Sequence, residues 1–427
     1  MVPNGWSEVK LGNVIKHQKG YAFKSKLYQE NGLRIVRISD TNRNSVHDKC
    51  PVYIEPENTK GLDSYILQEE DIILSTVGSR PHLLESMVGK AVKIPKKDSG
   101  SFLNQNLVKV IPKKGVITND YLFSMLKNDT FNYFISTLVR GNANQVSITL
   151  AELFAYRFLL PSHPEQTKIA QILSTWDKAI ATVEKLIENS KQQKKALMQQ
   201  LLTGKKRFKE FGEPAKDGEL PDGWASEKLV DITSWSSGGT PSKQNKTYWD
   251  GHIPWISAST MRGHAFDTSD LFISEEGLKV GSRLAPKDGL LLLVRGSMLW
   301  NKIPVGIAKR DLAFNQDLKC IRAKDSINPH YLLTWFLCNE NKLMHMVTGT
   351  GIGAGKLDTS ELQALDIALP PKQEQLRIIE LISSLDASES GHKKNLDCLN
   401  LEKKALMQQL LTGKRRVKVN ANEAMSA

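Results

Sequence analysis

One twelve-residue string occurs twice in this chain: residues 194–205 and 403–414 both read KKALMQQLLTGK. Identity over that length marks an internal duplication, and it is not isolated. Pro3-Asn-Gly-Trp6 returns as Pro221-Asp-Gly-Trp224, an offset of 218. That offset also aligns Gly20 with Gly238, Ile35 with Ile253, Ile38-Ser39 with Ile256-Ser257, and Gly78-Ser79 with Gly296-Ser297. Asn104-Gln105 then aligns with Asn315-Gln316 at 211, and from Leu160 onward the offset holds at 209. The chain is therefore two related halves, with length changes confined to the part of each half that precedes residue 160 or its counterpart.

The constant-offset part reads as helix. Between Glu165 and Thr203 there is neither Gly nor Pro, and Ser162 followed by Glu165 resembles a capping box with Pro164 in the first turn. Ile169, Leu173, Trp176, Ile180, Val183, Ile187, Leu197 and Leu201 fall on alternating four-three spacing, with Ser190 and Lys194 completing the seam. Such a heptad pattern predicts a long helix packed on another helix, about 58 Å in length. The second copy, 374–412, carries Ile378, Ile382, Leu385, Glu389, His392, Leu396, Leu399, Lys403, Leu406 and Leu410 at the seam. Gly391 and the Glu389/His392 pair weaken its middle and predict a kink or a polar gap. Gly204 suits the end of the first helix, followed by Lys205, Lys206 and Arg207 at the negative end of its dipole.

The segments ahead of each helix have short apolar runs (33–38, 71–76, 107–111) between polar loops and one helical stretch over 120–137. The expected architecture is α/β (α+β), two globular domains separated by two long helices. The divisions fall at 1–160 for the first domain, 161–204 for its helix and 205–219 for a solvated linker. The second domain follows at 220–369, then its helix at 370–413 and a basic, flexible tail at 414–427. A compact domain often has its termini close together, so the end of the first helix should lie near the start of the second. The helices then run antiparallel about a pseudo-twofold axis, each dodecapeptide beside the Glu-Gln start of the other.

Charge and composition narrow the function. Lys and Arg number 58 against 46 Asp and Glu, a formal charge of +12, which points modestly to a polyanionic partner. No apolar run reaches membrane-spanning length, and the first residues lack a signal-peptide core, so a cytoplasmic protein with no membrane association is expected. Cys50, Cys320, Cys338 and Cys398 are scattered without a C-x-x-C pair, which suits a reducing compartment and supplies no metal site. The run from Gly349 to Lys356 imitates a P-loop but has Thr350 for the first Gly and Leu357 for Ser/Thr, so it reads as a flexible loop. No H-E-x-x-H occurs. Asp222 with Glu227 and Lys228 lacks the nuclease Glu-x-Lys spacing, and Leu369-Pro-Pro-Lys372 lacks the Asn/Asp and Tyr of an amino-methyltransferase motif. No catalytic constellation emerges.

Two variable segments, each opening Pro-x-Gly-Trp and carrying a D-I-L-L-like strand before a Gly-Ser turn, close with L-P-x-x-x-E-Q into a long helix. Together with the duplicated KALMQQLLTGK this layout resembles the specificity subunit of Type I restriction–modification enzymes over essentially the whole chain. The resemblance implies two target-recognition domains, each reading one half of a split, asymmetric sequence in double-stranded DNA. It implies helices that act as spacer and as docking surface for two modification subunits, and restriction subunits that join the complex. It also implies a non-catalytic chain with no cofactor of its own; S-adenosylmethionine, ATP and Mg belong to the partners. An autonomous two-headed DNA-binding regulator and a protein-only structural spacer are the alternatives. A rigid spacer fixes the half-site separation, on the order of one DNA turn or about 34 Å.

Candidate DNA contacts are polar and basic residues in predicted loops, where Lys and Arg grip phosphate and amides read base edges. In the first half these are Lys19, Tyr21, Lys24, Arg37, Arg43 and Arg80, with Arg140, Asn142, Asn144 and Gln145 in a later loop. In the second they are Lys243, Gln244, Asn245, Lys246, Arg262, Arg295 and Lys356. Helix–helix and subunit docking is expected of Glu165, Gln166, Ile169, Trp176, Leu197, Leu201, Glu374, Gln375, Ile378, Leu385, Leu406 and Leu410.

Overall fold

The computed structural model describes residues 2–79, 83, 88–139, 146–216, 218–351 and 353–419. The chain divides into two compact units, one of residues 1–184 and 394–427, the other of residues 185–393. Each unit therefore holds one α/β domain, the start of the helix that follows it and the end of the other long helix.

In the first unit, a four-stranded antiparallel sheet is built from Ile15–Lys19, Leu107–Pro112, Ile72–Ser75 and Ala91–Lys93, in that spatial order. A second, mixed sheet joins Val52–Ile54, Leu33–Val36 and Phe102–Leu103. Strand Ile72–Ser75 is buried along its whole length, which its unbroken apolar run demands. The stretch expected as one helix over 120–137 is two, Asn119–Leu126 and Asp129–Leu138. Asn128 separates them because its side chain accepts the Phe131 backbone N–H at 2.8 Å and so caps the second helix.

The second unit repeats the plan with longer sheets. Thr233–Ser237, Leu318–Ala323, Leu290–Leu293, Val305–Ala308 and Ala265–Phe266 form one sheet; Phe272–Ile273, Ile253–Ile256, Leu312–Phe314 and Arg283–Ala285 form the other. The pairings correct one stretch of the internal alignment. Ile35 and Val36 pair with Phe102 and Leu103, while Trp255 and Ile256 pair with Ala313 and Phe314. Val36 therefore corresponds to Ile256 at an offset of 220, not 218, and the Ile-Ser match there is coincidental. The second domain has two more residues between Gly239 and Ile256 than the first has between Tyr21 and Val36. Strand pairing fixes register physically, whereas a two-residue identity does not.

The long helices span His163–Leu202 and Lys372–Leu410. Of the predicted seam, Ile169, Leu173, Ile180, Val183, Ile187, Leu201, Ile378, Ile382 and Leu410 are buried, while Trp176, Leu197, Leu385 and Leu406 are half-buried. In the first unit Ile169 and Leu173 share a core with Met407, Leu410 and Leu411, and Lys403 pairs with Asp177. In the second, Ile378 and Ile382 share a core with Met198, Leu201 and Leu202, and Lys194 pairs with Asp386. Within each unit one helix number rises as its partner falls, so the paired segments are antiparallel. Helical conformation continues through Gly391 without a break. The polar gap is occupied by charge: Glu389 pairs with Lys393 at 2.6 Å and faces Lys194 and Lys191, and Lys393 foremost holds its carboxylate below the usual range.

Segment 205–219 is not simply solvated, and neither is the start of the tail. Arg207 is buried against Glu374, and Arg416 reaches Glu165. A short 3-10 turn over Lys209–Phe211 follows Arg207.

Candidate nucleic-acid interface

Each domain opens and closes on the same polar clasp. In the second unit, Arg207 donates from Nε and Nη2 to the two oxygens of Glu374, each at 3.0 Å, and Trp224 Nε1 donates to Glu374 Oε2 at 3.0 Å. Arg207 also donates to the carbonyl of Asp222 at 2.9 Å. In the first unit, Glu165 accepts from Trp6 Nε1 at 3.1 Å, from Ser162 at 2.9 Å and from Arg416 at 2.8 and 3.0 Å. The neighbouring Gln is a clamp in both. Gln166 accepts the Thr118 N–H and donates to the carbonyls of Val116 and Pro161; Gln375 accepts the Asn328 N–H and donates to Ser326 and Pro370. This accounts for the Pro-x-Gly-Trp, Glu-Gln and Gly-Lys-x-Arg repeats as one structural device.

The clasp also corrects a sequence expectation. Glu165, Gln166, Glu374 and Gln375 are 0–4% exposed, with their polar atoms engaged inside their own unit. They lock helix to domain and present nothing to another subunit. Burial raises the pKa of Glu165, but the bonds from Arg416, Ser162 and Trp6 outweigh it and leave the carboxyl below its ordinary value of 4.5. Its stabilisation is thus complete above that value and is lost as pH falls through the lower, folded one. Followed by circular dichroism, the stability of the first unit should fall as the pH drops below about 4.5 in the wild type, whereas Glu165→Gln should be less stable at pH 7 and should lose less on acidification, the two converging in acid.

The predicted loops gather around one turn in each domain. In the first, the carbonyl of Val36 accepts the Asn104 N–H, Tyr21 N–H donates to Leu103, and Gly20 N–H donates to Leu107. Thr76 N–H donates to Asn106, and Ile148 N–H donates to Thr76. In the second domain Ile256 accepts from Asn315, Gly239 donates to Phe314, Val294 donates to Asp317 and Leu357 donates to Val294. The approach is close enough that a Cβ on Gly20 would lie 2.0 Å from the Asn104 carbonyl oxygen, and one on Gly238 would lie 2.1 Å from that of Phe314. Five loop segments, far apart in sequence, thus meet at the Asn104 turn and again at the Asn315 turn.

Within this frame the candidates divide. Lys19, Tyr21 and Lys24 are exposed, Tyr21 at 39%, with its ring edge-on to Phe23 at 4.9 Å and tilted on Tyr65 at 5.2 Å. Arg43 is exposed on a loop held by Lys127, which donates to its carbonyl, and by Lys90, whose Nζ donates to Thr41 at 2.7 Å. Burial foremost, then Arg43 and Lys403, lower the Lys127 pKa to about 8. Arg37 is not poised for DNA. It forks onto Asp40 at 3.0 and 3.1 Å and donates to the Cys50 carbonyl, so its charge is spent on its own loop. In the second domain Lys243, Gln244 and Lys246 are exposed, whereas Asn245 caps the turn beginning at Lys246 by accepting from Thr247. Arg262 is exposed and 3.8 Å from Asp270. Arg80, Arg140, Asn142, Asn144 and Gln145 lie outside the described residues.

Arg295 and Lys356 are brought together as cross-strand partners in a small sheet of Arg295–Gly296, Gly355–Lys356 and Thr348–Gly349. The segment expected as a flexible loop is therefore a hairpin, closed by Thr350 N–H donating to Ala354 at 2.8 Å. Trp300 is 46% exposed and donates from Nε1 to the Gly353 carbonyl at 3.0 Å, bracing that hairpin. Sequence reasoning passed over Trp300, and also over Gln105 and Gln316, exposed in the central turns. The repeated Asn-Gln pair was a signal for the latter. Trp300→Ala removes the hairpin's brace, so amide hydrogen exchange in strands Thr348–Gly349 and Gly355–Lys356 should quicken severalfold, read by mass spectrometry.

Among the described residues no group of His, Cys, Asp and Glu is arranged to hold a metal, and no helix is long and apolar enough to cross a membrane. What the arrangement offers is two polar, partly basic loop clusters, each fixed on a rigid sheet edge.

Comparison with known proteins agrees with this layout. The sequence matches the family described as Type I restriction modification DNA specificity domain twice, over residues 3–191 and 221–398. It is 25% identical to the type I restriction enzyme MjaVIII specificity subunit of Methanocaldococcus jannaschii, covering 98% of this chain and 94% of that one. It is 29% identical to the EcoR124I/EcoR124II specificity subunit of Escherichia coli across 53% of this chain and 54% of that one. A chain from a solved structure concerned with complex assembly and conformational transition of the type I R-M system superposes with a TM-score of 0.58 at 17% identity, covering 97% and 100% of the two chains, and shares the fold. With two matched domains that span most of its length, this chain belongs to the type I restriction–modification DNA specificity family.

Proposed function

We propose that the chain is the non-catalytic specificity subunit of a Type I restriction–modification complex, each domain reading one half of an interrupted, asymmetric site in double-stranded DNA. The observation that carries this reading is the duplicated loop cluster. The two copies share their backbone frame but differ in nearly every side chain they expose, which suits recognition of two different half-sites. Antiparallel pairing of the long helices within each unit supports their role as spacer.

Two modification subunits dock on the helices and bring S-adenosylmethionine; restriction subunits bring ATP and Mg. With the Glu-Gln pairs buried, the apolar side chains that the helices leave to solvent are Leu186, Leu376 and Leu401, at 43, 49 and 67% exposure, and these suit a partner surface. Purified alone, the chain should retain a target duplex and transfer no methyl group from labelled S-adenosylmethionine. Supplied with its modification subunit, it should direct methylation to adenine in a split site. Binding without any complex with a methyltransferase subunit would favour an autonomous regulator, and no retention of duplex would leave a protein-only spacer.

A further inference from the structure

The two loop clusters differ in almost every exposed residue, yet the turn at the centre of each has kept Asn-Gln. The turns read Leu103-Asn-Gln-Asn-Leu107 and Phe314-Asn-Gln-Asp-Leu318, closed by Leu107 N–H donating to the Asn104 carbonyl at 2.9 Å and Leu318 N–H to that of Asn315 at 3.3 Å. The Asn has a structural reason to persist. Asn104 and Asn315 are 4% and 6% exposed at the point where the strand ends meet, and Asn315 bonds both the side chain and the N–H of Asp317.

The Gln has no such reason. It occupies the second position of the turn with ordinary negative φ, a place that most residues fill. Gln105 is exposed and its amide makes no hydrogen bond among the described residues. Gln316 is also exposed; its Oε1 accepts from Thr240 Oγ1, which orients the amide and leaves its two N–H donors and the second lone pair of Oε1 available. Tyr21 and Gly239 make the same backbone bond, to Leu103 and Phe314, and the next residue is Ala22 in the first domain and Thr240 in the second; Ala22 has no hydroxyl, so the orienting contact is not shared, while the glutamine is. An exposed side chain kept in both copies, against divergence all around it and with no common intramolecular partner, has its partner outside the chain.

On this basis we infer that Gln105 and Gln316 read the same base in the two half-sites, each amide donating to and accepting from one adenine in the major groove. A primary amide matches adenine N7 and N6 in a bidentate pair, and no other base edge offers that acceptor–donor order to it as well. The surrounding loops then distinguish the half-sites, while the paired glutamines recognise what the half-sites have in common. This rests on the reading of each domain as a DNA half-site reader.

The test uses the full chain with its modification subunit and unmethylated duplexes bearing the site that the complex methylates, with 7-deaza-2′-deoxyadenosine, which lacks N7, placed at one adenine at a time. For the wild type, one substitution in each half-site should weaken binding about tenfold. Gln105→Ala should show that loss already on unmodified duplex and no further loss from 7-deaza at one adenine of one half-site. Gln316→Ala should do the same for the other half-site only, and both variants should keep the wild-type thermal transition. Additive losses at every adenine, unaltered affinity in both variants, or a lowered transition with uniform loss on all duplexes would each overturn the assignment. If the wild type itself fails to distinguish its site from a scrambled duplex, the domain reading fails, and the glutamine assignment fails with it by a separate result.

Discussion

Alanine in place of Arg207 is expected to lower the thermal transition of the unit formed by residues 185–393 by roughly 6–20 °C. The guanidinium and the Glu374 carboxylate it forks onto are 3% and 1% exposed. Removing one member of a pair buried that deeply leaves the other charge desolvated and unmatched, at a cost of about 3–5 kcal/mol. For a unit of this size each kcal/mol moves the transition by about 2–4 °C. Trp224 would still donate to Glu374, but one neutral N–H does not replace a two-point ionic contact. The matching change in the first unit, Arg416→Ala, should cost less, about 1 kcal/mol, because Arg416 is 46% exposed and water screens its pairing with Glu165. Calorimetry of the full-length variants checks both numbers. Equal losses would mean that burial is not what sets the strength of the clasp. A paired Arg207→Met and Glu374→Gln variant should recover part of the loss, since no lone charge then remains buried.

Exchange of residues 1–160 for the equivalent domain of a relative with a different target should rewrite one half of the recognised site and spare the other. Discrimination between specific and non-specific DNA commonly spans 10³-fold or more, so affinity for the old half-site should fall by about that factor while the second half-site is read as before. The exchange is structurally feasible because the clasp and the Gln166 clamp are built from residues that recur in both halves. Footprints or methylation maps of the chimera would show the change. A chimera that altered both half-sites would contradict the assignment of one half-site to each domain.

The helices were legible in the sequence because their signal is periodic and local. Seam spacing, the Gly-free run and the constant offset all reflect burial on one helix face. The Asn128 break between two short helices was not legible, since it depends on a side-chain cap within an otherwise helical stretch. The internal offset is not legible between Gly239 and Ile256, because the Ile-Ser coincidence hides a two-residue length difference that only strand pairing reveals. Site residues were harder for a further reason. Arg37, Glu165 and Glu374 look available as isolated letters, and their partners Asp40, Arg416 and Arg207 are known only once the chain has folded. Composition could suggest a basic surface, but it could not say which arginines spend their charge internally.

As a specificity subunit, this chain would choose which DNA sequence its complex modifies. That role is tested most directly by mapping methylated adenines across the host genome with the gene intact and with the gene deleted. One interrupted, non-palindromic motif should lose its methylation on deletion and regain it when the gene is restored. An unchanged methylation map would contradict that role.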